Sequence, residues 1–164
     1  VAPQGSVTGP MAEVVFRSTQ YLSDADAQAI AVYLRALPQR AIAPAEVVKP
    51  SAATLERGAK VYEQHCAQCH GDNGEGKPGA FPALAGNRAV VLQDPTNLVR
   101  VVLQGGYLPA TAGNPRPHGM PPFMQVLGDD DVAAVSTFVR NAWGNQAPAV
   151  GTIGVYRARE RRGS

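Results

Sequence analysis

The stretch "YEQHCAQCHGDNGEG", Tyr62 to Gly76, holds both cysteines of the chain, Cys66 and Cys69, with His70 directly after the second. Cysteines three apart at a helix end present both sulfurs on one side. There they can form thioethers with the two vinyl groups of one porphyrin, and the following histidine lies under the iron as an axial nitrogen donor. C-x-x-C-H is the attachment signature of c-type haem. Competing readings are weaker. A zinc site needs four ligands, and only three candidates are local. A thioredoxin-like dithiol opens a helix after a strand, and no βαβ pattern surrounds this one.

The second axial position decides between carrying electrons and doing chemistry on a substrate. A thioether sulfur favours ferrous iron and fills the site that a substrate would need. The candidates are Met120, Met124 and His118, all within "PHGMPPFM". Met120 is preferred, because Gly119 lets the backbone approach the haem and Pro121-Pro122 fix the exit direction. Met124 reads otherwise as packing, His118 as an exposed loop residue and His65 as an exposed helix residue. A ligating histidine usually donates its other N–H to a carbonyl. The loop "GAFPALAGN" is the expected source, through the carbonyl of Pro82, with Phe81 and Leu84 closing the haem edge or simply packing in the loop. Trp143 reads as packing rather than as an electron relay.

Bulk properties are compatible with this reading. The 164 residues are 45% hydrophobic but only 6% aromatic, so the core must be filled by Ala, Val and Leu or by a group that is not protein. A formal charge of +2 is too small to imply nucleic acid. Four arginines, Arg157, Arg159, Arg161 and Arg162, stand against Glu160 near the end, which gives that tail +3 and leaves −1 elsewhere. The plain reading is a solvated terminus; the sharper one is an electrostatic contact with a partner or an anionic membrane surface. No apolar run has the length to cross a bilayer. The opening "VAPQGSVTGP" lacks the regions of a signal peptide, so either a leader has been removed or the chain begins inside a longer protein.

Punctuation divides the chain into a helical segment (1–37), a Pro-rich linker (38–50), a compact block (51–146) and a basic tail (147–164). The first segment carries a helix over Tyr21 to Leu37, capped by Ser23 and stopped by Pro38. Within the block, a helix begins near Ser51 or Thr54, with Leu55, Ala59, Tyr62 and Cys66 on one face. A middle helix is expected with Asp94 as its cap and Pro95 at its first helical position, stopping at Gly105 or Gly106. A last helix runs from Asp129 to Gly144, and its three leading aspartates suit the helix dipole rather than paired-carboxylate catalysis. Short helices joined by long Gly/Pro-rich loops make poor sense without a large buried cofactor.

Leu22–Arg35, "LSDADAQAIAVYLR", aligns without gaps on Leu127–Arg140, "LGDDDVAAVSTFVR". Met11 precedes the first copy, as Met120 and Met124 precede the second, which reads as an internal repeat.

"AKVYEQHCAQCHGDNGEG", "FPALAGN", "GMPPF" and "LGDDDVAAVSTFVRNAWGN", in this order, resemble a class I cytochrome c domain over Ser51 to about Asn145. They are most similar to the last haem domain of multihaem cytochrome subunits of periplasmic, membrane-associated dehydrogenases for alcohols, aldehydes and sugar acids. The resemblance implies an all-α fold wrapped around one covalent haem c, with Cys66, Cys69, His70 and Met120 holding it. "MAEVVFRSTQYLSDADAQAIAVYLRALP" resembles the close of a preceding haem domain, in which Met11 would be an axial ligand; the rival reading is an intact single-haem protein with a helical extension. No second C-x-x-C-H precedes Met11. The implied role is a periplasmic, non-catalytic electron carrier. It would take electrons from a dehydrogenase catalytic subunit and pass them to quinone, another haem or a terminal oxidase. The alternative is a haem enzyme with a displaceable sixth ligand, such as a peroxidase or sulfur-compound oxidase.

Overall fold

A computed structural model describes residues 5–38 and 49–160; the expected linker at 38–50 lies, apart from its ends, outside the described residues. In chain order the helices are α1 (Pro10–Arg17), α2 (Asp24–Ala36), α3 (Ala52–His65), α4 (Ala67–His70), α5 (Arg88–Val91), α6 (Thr96–Gln104), α7 (Asp129–Val139) and α8 (Thr152–Glu160). A short 3-10 turn, Thr19–Tyr21, leads into α2. One pair of two-residue strands, β1 (Gly106–Tyr107) and β2 (Gly119–Met120), runs antiparallel with Gly106 opposite Met120.

Local chemistry sets the helix ends. Ser23 and Ser51 accept from the amides of Asp26 and Thr54, at 3.2 and 3.1 Å, and so cap α2 and α3. Asp94 accepts from the amide of Thr96 at 2.8 Å, while Pro95 occupies the cap position of α6. Gly105, at φ 70, ends that helix, and a side chain there would lie 2.3 Å from the carbonyl oxygen of Met120. The last helix of the block ends at Val139, short of Gly144. Side-chain amides intercept its final carbonyls: Asn141 donates to Thr137 and Asn145 to Val139, at 2.9 and 2.7 Å.

The core is built where α3 crosses α7. Gly58 lies at the crossing, and a Cβ there would stand 2.3 Å from the Ala134 carbonyl oxygen. Val61 and Tyr62 of α3 pack with Val132, Val135 and Val139 of α7, and Val99 and Leu103 of α6 join them. Each such aliphatic side chain contributes about 1.5–3 kcal/mol by leaving water. Tyr62, Phe138 and Trp143 stack beside the crossing, with ring centroids 4.9 to 5.5 Å apart.

Two parts depart from expectation. Residues 152–160 are not a solvated tail but helix α8, whose Val155 and Ala158 are buried against α6 and α7. Arg161 and Arg162 lie outside the described residues. Conversely, α2 buries nothing. Its Ile30, Val32, Tyr33 and Leu34 are exposed, whereas their counterparts in α7, Val135, Thr137, Phe138 and Val139, lie in or against the core. The repeated Arg shows the same contrast. Arg35 is exposed, but Arg140 is fully buried and donates to the carbonyls of Val90, Leu92 and Pro148.

Candidate haem site

Tyr62 and Cys66 begin the site. Helix α3 ends at His65, the Cys66 amide still donates to the Tyr62 carbonyl at 2.8 Å, and α4 turns within four residues. The amides of Cys69 and His70 both donate to the Cys66 carbonyl, at 3.1 and 2.9 Å. That tight turn brings Cys66, Cys69 and His70 to the wall of one cavity of about 100 Å³, which Phe81, Pro82, His118 and Met120 also line. A second cavity of about 130 Å³ shares Cys66, His70, Pro82 and Met120 and continues to Leu84, Leu98, Val102, Val135 and Ser136. A larger depression of about 790 Å³ lies between α1 and α6 and touches neither cysteine nor His70. Size is therefore no guide here; the thiols and the imidazole are.

His70 is buried, and its Nδ1 lies 2.9 Å from the Pro82 carbonyl oxygen. With Nδ1–H donating to that oxygen, Nε2 carries the lone pair that a metal needs. Burial lowers the imidazole pKa below its ordinary value, against the carbonyl, which favours protonation. The neutral ring is thereby favoured. Burial, with Cys69 adding a smaller push, raises the Cys66 thiol to about 11. The loop that supplies Pro82 is folded back by Gly76, whose amide donates to the His70 carbonyl at 2.7 Å. Leu84 and Ala85 donate to the Gly74 carbonyl from the other side.

Met120 enters from β2, half-buried, and lines both cavities. Met124 packs against the hydrophobic core instead. His118 is exposed, with its ring 4.9 Å from that of Phe81. His65 differs from expectation: it is half-buried, lines the cavity and meets the Phe123 ring edge-on at 5.9 Å. A Cβ at Gly119 would lie 2.4 Å from the ring of Tyr107, which is exposed and free to turn aside. Sequence reasoning missed Ser136, whose buried Oγ has no partner among the described residues, and Thr8, which lines both cavities. The signal for Ser136 was a hydroxyl on the apolar face of α7; nothing local marks Thr8.

The description "Cytochrome c" matches residues 55–143, more than half of the chain. The chain belongs to the cytochrome c family. This cytochrome c is 40% identical over 159 residues to the cytochrome c subunit of the quinone-dependent alcohol dehydrogenase of Gluconacetobacter polyoxogenes, covering 90% of its own length and 33% of the relative's. It is 36% identical to the gluconate 2-dehydrogenase cytochrome c subunit of Pantoea cypripedii, covering 88% and 35%. Cytochrome c-552 of Thermus thermophilus is 38% identical over 91 residues, 54% of this chain and 69% of that one. The chain thus spans about a third of the length of the curated dehydrogenase subunits it matches. Family membership makes covalent haem c the cofactor, and the helical fold agrees with a class I cytochrome c. The walls fit such a group chemically, with two thiols, a neutral imidazole and a thioether meeting on an otherwise largely apolar cavity. Among the described residues no helix is long and apolar enough to cross a membrane.

Proposed function

We propose that this chain carries one haem c, which Cys66 and Cys69 would hold as thioethers and whose iron His70 Nε2 and the Met120 sulfur would bind. The bound haem supplies a one-electron iron couple. Everything else is done by the chain. Pro82 orients the imidazole and raises its basicity through the Nδ1 hydrogen bond. Phe81 and Leu84 close the cavity edge, and the valines of α6 and α7 exclude water. With both donors supplied by the chain, the group would exchange electrons without binding a substrate, and no general acid or base would be needed. The observation that carries the reading is that the two thiols, His70 and Met120 line one cavity, with Nδ1 already engaged by Pro82.

In this reading the protein is the electron-transfer part of a dehydrogenase complex. It takes electrons from a dehydrogenase catalytic subunit and hands them to quinone, another haem or a terminal oxidase, in the periplasm. The names of the relatives support that context and give no support to a peroxidase or sulfur-compound oxidase. Residues 1–37 read as the close of another cytochrome c unit. The bare apolar face of α2, at positions that α7 buries against α3, supports this. A basic contact with a membrane surface stays with the exposed arginines, of which Arg157 is one.

The test is the spectrum of the haem-loaded chain. Low-spin iron with the weak red-edge band of iron–thioether bonding is expected, lost in Met120→Ala and kept in Met124→Ala. A ferric spectrum with exchangeable water in the unsubstituted chain would overturn the ligand assignment.

A further inference from the structure

The guanidinium of Arg159, in the last turn of α8, is engaged through three nitrogens. Nε donates to Asp129 Oδ1 at 2.7 Å, Nη1 to the Met124 carbonyl at 2.5 Å and Nη2 to the Leu127 carbonyl at 3.0 Å. Arg159 and Asp129 are both about three-quarters buried, so water screens the contact weakly. Both carbonyls belong to the segment that follows Met120. The same segment is tied on its inner side, where the amides of Phe123 and Met124 donate to Val102 and Leu103 of α6, each at 3.1 Å. Its amides thus hold α6 and its carbonyls hold α8. Helix α8 is itself anchored by Val155 and Ala158 in the core, so the guanidinium is a fixed post. It also lies beyond the residues matched to the family, 55–143.

We propose that Arg159 is a positioning residue for Met120. Met120, Pro121 and Phe123 line the cavity, and backbone motion that withdraws Met120 from it lifts the segment that follows. Lifting it breaks the charge-assisted hydrogen bonds that the planar guanidinium fork donates. Arg159 therefore sets how often the axial sulfur lets go, and with it how well the haem is guarded from small ligands. The inference rests on the assignment of Met120 as axial donor.

Its test is imidazole association with the ferric, haem-loaded full chain, followed by loss of the thioether band. Arg159→Gln is expected to speed association roughly tenfold or more. Arg159→Lys, which keeps a cation near Asp129 but loses the fork, is expected to fall between, and it serves if Arg159→Gln fails to fold. Two controls separate positioning from general weakening. Arg157→Gln, exposed on the same helix and bonded to nothing in the segment after Met120, should leave the association rate as it is. Gly58→Ala lowers stability at the α3–α7 crossing, where the added methyl meets Ala134 and Phe138 and none of the groups that Arg159 holds, and should not speed association. Rates for the Arg159 variants equal to that of Arg157→Gln would overturn the proposal, as would an equal acceleration by Gly58→Ala. Failure of the ligand assignment is seen separately: the unsubstituted chain would lack the thioether band, or Met120→Ala would keep it.

Discussion

The Nδ1 atom of His70 and the carbonyl oxygen of Pro82 lie 2.9 Å apart, although twelve residues separate them in the chain. The loop between closes because Gly76, at φ 65, sits against the backbone of Phe81 to Ala83 with no room for a side chain. A Cβ there would lie 2.6 Å from both the Phe81 oxygen and the Ala83 nitrogen. Gly76→Ala should push the Pro82 carbonyl away from the imidazole. Stability should fall by about 1–3 kcal/mol, and the reduction potential should rise as the histidine becomes a poorer donor. Redox titration beside urea unfolding checks both; an unchanged potential would separate Pro82 from any tuning of His70.

The two methionines should divide their effects. Met120→Ala is expected to open the iron to carbon monoxide and lower the potential with modest loss of stability. Met124→Ala is expected to cost about 2–4 kcal/mol by emptying its place against the core while leaving the spectrum intact. Spectra and unfolding midpoints of the two variants decide the matter, and the reversed pattern would reassign the ligand.

At the crossing of α3 and α7, Gly58→Ala drives a methyl into the Ala134 carbonyl and the Phe138 side chain. About 1–3 kcal/mol of destabilisation is expected from overpacking, visible in the unfolding midpoint. The axial ligands should stay in place. A neutral outcome would mean that the two helices are not packed this closely.

Tyr62 gives a dependence on pH. Its hydroxyl donates to the Gly71 carbonyl at 2.6 Å, and burial above all raises its pKa well past the ordinary 10.0. The folded state therefore holds this proton more tightly than the unfolded one. The associated stability is fully present below pH 10.0 and is lost as pH rises toward the folded value. Tyr62→Phe should be less stable at neutral pH, yet lose less stability between neutral pH and the alkaline range. Parallel slopes for the two proteins would remove Tyr62 from alkaline unfolding.

What could be read from sequence was local. Ser51 caps α3, Gly105 ends α6 and C-x-x-C-H marks a turn, because each signal acts within one turn of its own chain. Arg159 could not be read that way. An arginine near a terminus gives one local signal whether water or two carbonyls receive it, and only the apolar pair Val155 and Ala158, three apart, hints at a docked helix. Arg35 and Arg140 make the same point inside the repeat, since identical residues at matched positions end exposed and fully buried. Their fates are set by what packs beside them. His65 is half-buried rather than exposed for a like reason: Phe123, whose ring meets it, comes from a distant loop.

A porphyrin bonded to Cys66 and Cys69 is read out by intact mass after acid–acetone extraction of chain matured with haem-attachment machinery. The expected result is coloured protein heavier than the 17.2 kDa polypeptide by one haem, and bare polypeptide once both cysteines are replaced by alanine. Colourless material at the bare polypeptide mass from the unsubstituted chain would rule out a covalently held haem.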